Sequence, residues 1–187
     1  MNPYEKCPSY ENENYLLRLV DEMDAPDLLL VYSDKNAVPF FNSDNCGGDD
    51  FYYTSLDRVK QAIKYWLWEY QRKGFVRWAV IDKKAQHTIG TIELFNRRAD
   101  DYFNNCGLLR LDLRSDFEHA EKILDILSLI TQPAFALFNC SIIATKVPPF
   151  ASELEIAVKK LGFSASKEKL VGGHDKKIYT NYFVLQK

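Results

Sequence analysis

Phe75-Val-Arg-Trp-Ala-Val-Ile81, Asp82-Lys-Lys-Ala-Gln-His87 and Thr88-Ile-Gly-Thr-Ile-Glu-Leu-Phe95 read together as one β-hairpin. Aromatic and β-branched residues fill both outer runs, and a polar turn separates them. A second polar stretch, Asn96 to Cys106, leads to Leu108–Arg114, which alternates. Leu109, Leu111 and Leu113 share one face of that strand, and Arg110, Asp112 and Arg114 share the other. The leucine face predicts a helix layer against it. The charged face predicts a polar cleft or cross-strand charge pairs.

Working outward toward the C-terminus, a helix is expected from Ser115, because Ser115-Asp-Phe-Glu118 has the spacing of a capping box. Ile123 to Phe138 is almost wholly apolar, the mark of a buried helix, and Pro133 should kink or break it. Cys140 to Val147 reads as a strand stopped by Pro148-Pro149, and Ser152 to Leu161 as a helix ended by Gly162. Phe163 to Lys167 and Tyr179 to Leu185 read as strands joined by a loop containing Gly172-Gly173.

Toward the N-terminus, Tyr15 to Val20 is strand-like. The acidic run Asp21 to Asp24 before Ala25-Pro26 marks a helix start, carried on by Leu28 to Tyr32. Residues 42–53 form a loop punctuated by Gly47-Gly48. Ser55 is a candidate N-cap for a helix whose Val59, Ile63, Trp66, Leu67 and Tyr70 lie on one stripe, with Gly74 as its stop. The whole chain, 1–187, reads as one domain with a core over about 15–186.

Composition narrows the function classes. Apolar residues are 47% of 187, and 24 basic against 26 acidic residues give a formal charge of −2. That balance lacks the basic excess of a nucleic-acid-binding protein, and no nucleic-acid partner is expected. No apolar run approaches the roughly 18–20 residues of a membrane span, and the start carries no secretory signal. Cys7, Cys46, Cys106 and Cys140 have no metal or redox spacing, nor do His87, His119 and His174. Free thiols and a cytoplasmic location are expected, and no metal.

The element order is β-α-α-β-β-β-α-β-α-β-β. With Leu17-Arg-Leu-Val-Asp-Glu-Met-Asp24, the Trp78…Ile89-Gly-Thr-Ile92 hairpin, Val158-Lys-Lys-Leu-Gly-Phe163 and Tyr179-Thr-Asn-Tyr-Phe-Val184, it resembles the GNAT superfamily of acetyl-CoA-dependent N-acetyltransferases. The branch acting on ribosomal-protein N-termini is the nearest likeness. The resemblance implies an α/β fold with a mixed sheet of about seven strands and helices on both faces. It also implies acetyl-CoA as co-substrate in a V between the fourth and fifth family strands. Leu111, Leu113, Arg114, Phe117, His119 and Ala120 would then lie along the cofactor. A strand N–H would polarise the thioester carbonyl, and a carboxylate, Asp112 or Glu93, would take the proton of the acceptor amine. That acceptor would be a small molecule or a peptide, with no membrane partner.

The residues depart from the family pattern at two places. The family's phosphate loop reads R/Q-x-x-G-x-G/A, whereas Arg114-Ser-Asp-Phe-Glu-His-Ala-Glu-Lys122 has no glycine and carries Asp116, Glu118 and Glu121. The alternative is a self-capping helix start with no cofactor role, and with it a binding or interaction module in place of an enzyme. The family's Asn-x-x-Ser positions hold Ala151 and Leu154. Asp112 and Glu93 have a bland reading as well, a charge ladder with Arg110 and Arg114, and His119 one as a solvated first-turn residue. The aromatic group Tyr52, Tyr53, Tyr65, Trp66, Trp68, Tyr70 and Trp78 is either core or a flat acceptor pocket. An exposed last strand, Tyr182 to Leu185, would allow a homodimer.

Overall fold

The computed structural model describes residues 2–44 and 48–187, so Cys46 and Gly47 lie outside the described residues. The hydrophobic pattern and the elements follow one another closely. They are β1 (Tyr10–Glu11), β2 (Tyr15–Leu19), α1 (Ala25–Tyr32), α2 (Leu56–Gln71), β3 (Val76–Asp82), β4 (His87–Arg97), β5 (Cys106–Leu113), α3 (Ala120–Leu137), β6 (Ile142–Lys146), α4 (Ser152–Lys160), β7 (Ser164–Ala165), β8 (Leu170–Val171), β9 (Ile178–Tyr179) and β10 (Tyr182–Gln186). One eight-stranded sheet runs in the order β1-β2-β3-β4-β5-β6-β10-β7, one strand more than the sequence suggests, and β8 and β9 form a separate hairpin. β5 and β6 are parallel, and their neighbours are antiparallel.

The alternation in β5 does what it predicts. Leu109, Leu111 and Leu113 pack with Ile123, Ile126, Leu127 and Ile130 of α3 and Leu154 and Val158 of α4. On the other face α1 and α2 bury Leu28, Val31, Ile63 and Trp66 against Ala79 and Ile81 of β3. Asp24 accepts the N–H of Asp21 and Asp21 accepts that of Met23, each at 2.8 Å, ahead of Pro26, as the acidic run implies. Asp24 also takes the Arg18 guanidinium at 2.6 Å and the Thr88 hydroxyl at 2.7 Å, which fixes α1 over β2 and β4.

Gly90 shows why the Ile89-Gly-Thr-Ile92 strand needs its glycine. A Cβ there would stand 2.2 Å from the Asp112 carbonyl oxygen in the neighbouring strand. Gly74 acts differently from the expected helix stop. The left-handed residue after α2 is Lys73, φ 64°, and a Cβ on Gly74 would meet the Glu69 carboxylate at 2.0 Å. The left-handed turn that ends α2 thus belongs to Lys73, and the contact at Gly74 is with a side-chain end that is free to swing away.

Four further expectations are corrected. α3 starts at Ala120 instead of Ser115, because residues 115–117 form a 3₁₀ turn and Glu118 leaves the helical region at ψ 59°. The Ser115–Glu118 capping box does not form: the N–H of Glu118 bonds the backbone carbonyl of Ser115, and that of Ser115 goes to Asp34. Of the two outcomes expected at Pro133, the break does not occur: α3 runs on to Leu137. The last strand is no free edge, since β10 lies between β6 and β7 and its Tyr182 to Leu185 are buried. The homodimer surface suggested for it is therefore already occupied.

Candidate functional site

The parallel pairing of β5 with β6 runs from Cys106↔Ile142 to Leu109↔Thr145 and stops. Beyond it the strands part, and their backbone groups need other partners. Asn42, buried in the segment after α1, supplies them. Its Oδ1 accepts the N–H of Leu111 at 2.7 Å, and its Nδ2 donates to Thr145 Oγ1 and the Lys146 carbonyl, each at 2.9 Å. Asp44 holds the same segment in place. Its carboxylate takes Lys146 Nζ at 2.5 Å and the Tyr182 hydroxyl at 2.9 Å, while its carbonyl accepts from Arg110 at 2.8 Å.

Next along the chain comes the turn from β5 into α3, where two distant segments bring carboxylates to backbone donors. Asp34 accepts the N–H of Ser115 at 3.1 Å, and Glu153 of α4 accepts that of Ala120, the first residue of α3, at 2.6 Å. An anion at a helix N-terminus is favoured by the free N–H groups and the dipole. Arg114 pairs with Asp116 at 2.6 Å and lies over the Phe117 ring. Glu118 has no such compensation: burial and the charge of Asp112 push its carboxyl up to about 8.

On the α1/α2 face of the sheet the charged residues of three strands close a cluster. The register aligns Arg77, Glu93 and Arg110 across β3, β4 and β5. Arg77, fully buried under Trp66 with its guanidinium 4.3 Å from the ring, donates to Tyr32 Oη at 3.2 Å, Thr91 Oγ1 at 3.0 Å and Asp112 Oδ2 at 3.1 Å, and pairs with Glu93. Arg110 takes the other Glu93 oxygen at 2.8 Å. Tyr32 donates to Asp112 at 2.8 Å. Asp112 Oδ1 and Arg77 Nε have no hydrogen-bond partner among the described residues. The two carboxylates respond in opposite directions. The two arginines hold Glu93 below the ordinary range despite its burial, whereas burial, helped by the charge of Glu93, pushes Asp112 up against the opposing pull of Arg77 and the Tyr32 hydroxyl.

A cavity of about 1280 Å³ opens on this face, between α2 and the β8–β9 hairpin. Phe51, Tyr53, Trp66 and Phe75 form one wall, and Glu93 and Arg110 reach into it. Each expected site residue can now be placed. Glu93 touches the cavity, and Asp112 lies behind it in the cluster. Leu111 faces the split through its N–H and the helical core through its side chain, and Leu113 and Phe117 are core. Arg114 is tied to Asp116, His119 is exposed, and Ala120 presents its N–H to Glu153. The aromatic group divides. Tyr53 and Trp66 line the cavity, but Trp78 packs on the opposite face with its indole N–H on the Pro8 carbonyl at 2.9 Å.

Sequence reading misses Asn42, Asp44, Arg77, Tyr32 and Glu153. Arg77 was within reach, since pairing the hairpin as it stands puts it opposite Glu93. The others come from distant segments and leave no local signal.

No family profile and no curated protein matches the chain in sequence. Solved structures do match. A ribosomal-protein-S5-alanine acetyltransferase from Vibrio fischeri superposes with a TM-score of 0.70 at 17% identity over 96% of both chains. A GNAT-family acetyltransferase from Bacillus anthracis gives 0.69 at 10% identity over 96% of this chain and 98% of that one. A ribosomal L7/L12 α-N-protein acetyltransferase in complex with coenzyme A gives 0.67 at 13% identity over 96% and 98%. The chain therefore has the fold of the GNAT acetyltransferases, as the resemblance implied.

Proposed function

We propose that the protein transfers an acetyl group from acetyl-CoA directly to a primary amine of a small molecule or a peptide N-terminus. The observation that carries this reading is the split between β5 and β6. It lies at the carboxyl ends of two parallel strands, a position where open α/β sheets bind ligands. The N–H of Leu111 points into it, beside a cavity large enough for an acceptor.

The residues fit one part of acetyl-CoA and not another. Leu111 N–H already holds a carboxamide carbonyl, that of Asn42, so the split suits carbonyl and amide groups. The turn into α3 suits a diphosphate poorly as arranged, because Asp34 and Glu153 already hold the N–H groups of Ser115 and Ala120 and Asp116, Glu118 and Glu121 add negative charge there. The reading therefore rests on the split.

Acetyl-CoA supplies a thioester when bound. The rest is the work of this chain. Leu111 N–H would polarise a carbonyl oxygen placed in the split. Glu93 faces the acceptor, and its two arginine partners make it an acceptor that orients an amine more than a strong base. Asp112 is a positioning residue that acts through Arg77 and Tyr32. The reading treats residues 1–187 as one domain with its core over about 15–186 and places the protein in the cytoplasm, in keeping with free Cys7, Cys106 and Cys140. No helix among the described residues is long and apolar enough to cross a membrane.

The test is incubation with acetyl-CoA and a panel of small amines and peptides with free N-termini, read by product mass and released CoA thiol. Acetylated product with matching CoA release is the expected result. No product across the panel, together with no acetyl-CoA binding at millimolar concentration, would overturn the reading.

A further inference from the structure

We propose that residues 38–44 are an internal plug, with Asn42 occupying the place of the acyl donor, and that the donor slot and the acceptor cavity become continuous only when this segment withdraws. The inference rests on the acetyl-transfer reading and adds to it a gate that the fold does not require.

Strands that part normally leave their edges to solvent or to a ligand. Here a single carboxamide bridges them, receiving from β5 and donating to β6. A carboxamide has one carbonyl and one NH₂ group, so it reproduces the acceptor and donor pattern of an amide-bearing ligand lying between the strands. Asp44, two residues on, is fastened to Arg110 on β5, Lys146 on β6 and Tyr182 on β10. Arg110 and Tyr182 are themselves walls of the cavity. Residues 42–44 thus stand between the split and the cavity, holding both closed to each other.

The closed state is not fully satisfied. Ser43 Oγ, between the two anchors, is buried with no hydrogen-bond partner among the described residues. A buried hydroxyl without a partner is a penalty of the closed position that withdrawal removes. The anchors are mostly side-chain contacts of one short segment. A ligand can replace them one for one, as it could not replace a strand.

Two variants test the plug from different ends. Asn42→Ala removes the bridge and leaves the Asp44 anchors, and Asp44→Asn loosens the anchors and leaves the bridge. Acetyl-CoA affinity by calorimetry should tighten by about tenfold in each, since the donor no longer displaces a bonded group. In the full-length wild-type protein, hydrogen exchange should show residues 38–44 losing protection on acetyl-CoA addition while the Leu111 amide keeps it. In Asn42→Ala without ligand the Leu111 amide should exchange faster, and acetyl-CoA should restore its protection.

Wild-type binding with unchanged or weaker affinity in both folded variants, and no exchange change in 38–44, overturns the plug and leaves acetyl transfer standing. Binding by the variants but not by the wild type supports both. No binding by any of the three at millimolar acetyl-CoA overturns both. Unfolding of one variant leaves the decision to the other and to the wild-type exchange pattern.

Discussion

Two charged regions lie at the two ends of Asp112. On one side, Arg77, Glu93, Arg110 and Asp112 neutralise one another across three strands, deep under Trp66. On the other, the turn from β5 into α3 collects Asp34, Asp116, Glu118 and Glu153, which lean on backbone N–H groups and on Arg114, while burial and Asp112 raise Glu118. The first region exchanges charge for charge, and removing any member strands its partner in a medium that cannot solvate it. The second exchanges charge for dipole at a half-open surface. Each of its contacts is worth little, and each can be displaced. The cluster is therefore a fixed support for the cavity wall, and the turn is the adaptable end of the site.

The largest break in this contrast is Arg77→Ala. Two carboxylates would lose their buried partner, at a cost of about 3–5 kcal/mol by chemical denaturation. Replacing Arg77 by Met together with Glu93→Gln and Asp112→Asn should recover much of that loss, because no charge is then stranded. Equal instability of the single and triple variants would mean that shape, not charge balance, makes the cluster.

Glu118 gives a pH test of the other region. Its carboxyl is raised to about 8 in the folded chain. The folded state thus holds a proton that the unfolded state has released, and stability falls as pH rises from the ordinary carboxylate range toward 8. Glu118→Gln should flatten this slope, adding about 1–3 kcal/mol at pH 8.5 and nothing at pH 4. A parallel slope in the variant would assign the pH dependence elsewhere.

Asp112→Asn should cost about 1–2 kcal/mol, less than Arg77→Ala, because Asn still accepts from Tyr32 and only one of Arg77's two anionic partners is lost. In the acetylation assay it should lower kcat without moving the KM for acetyl-CoA, as a positioning residue behind the wall would. The smallest change is Glu153→Gln, about 0.5–1 kcal/mol, since an exposed carboxylate at a helix N-terminus contributes on that scale. Its loss should shrink further at high salt, whereas the Arg77→Ala loss should not.

The legible part of the site follows the same division. The ladder Arg77, Glu93, Arg110 could be read from the hairpin and the alternation of Leu108 to Arg114, because antiparallel register converts sequence spacing into contact. The capping box at Ser115 could be read too, and it was misleading. Asp34 is 81 positions away along the chain and takes the N–H that a helix at Ser115 would have used internally. A local motif states only what a segment does when nothing better is offered.

Periodicity and turn chemistry act over a few residues, so the main order of elements, the buried leucine face of β5 and the glycine of Ile89-Gly-Thr-Ile92 were open to reading from the chain alone, while the short strands β1 and β8 were not. Only the tertiary structure decided what fills the split. Asn42 meets Leu111 and Thr145 across separations of 69 and 103 residues, and Glu153 meets Ala120 across 33. These contacts exist because packing the helices on the sheet leaves particular backbone donors and acceptors buried and unpaired. Whichever polar side chain the fold carries to them must then complete their hydrogen bonds.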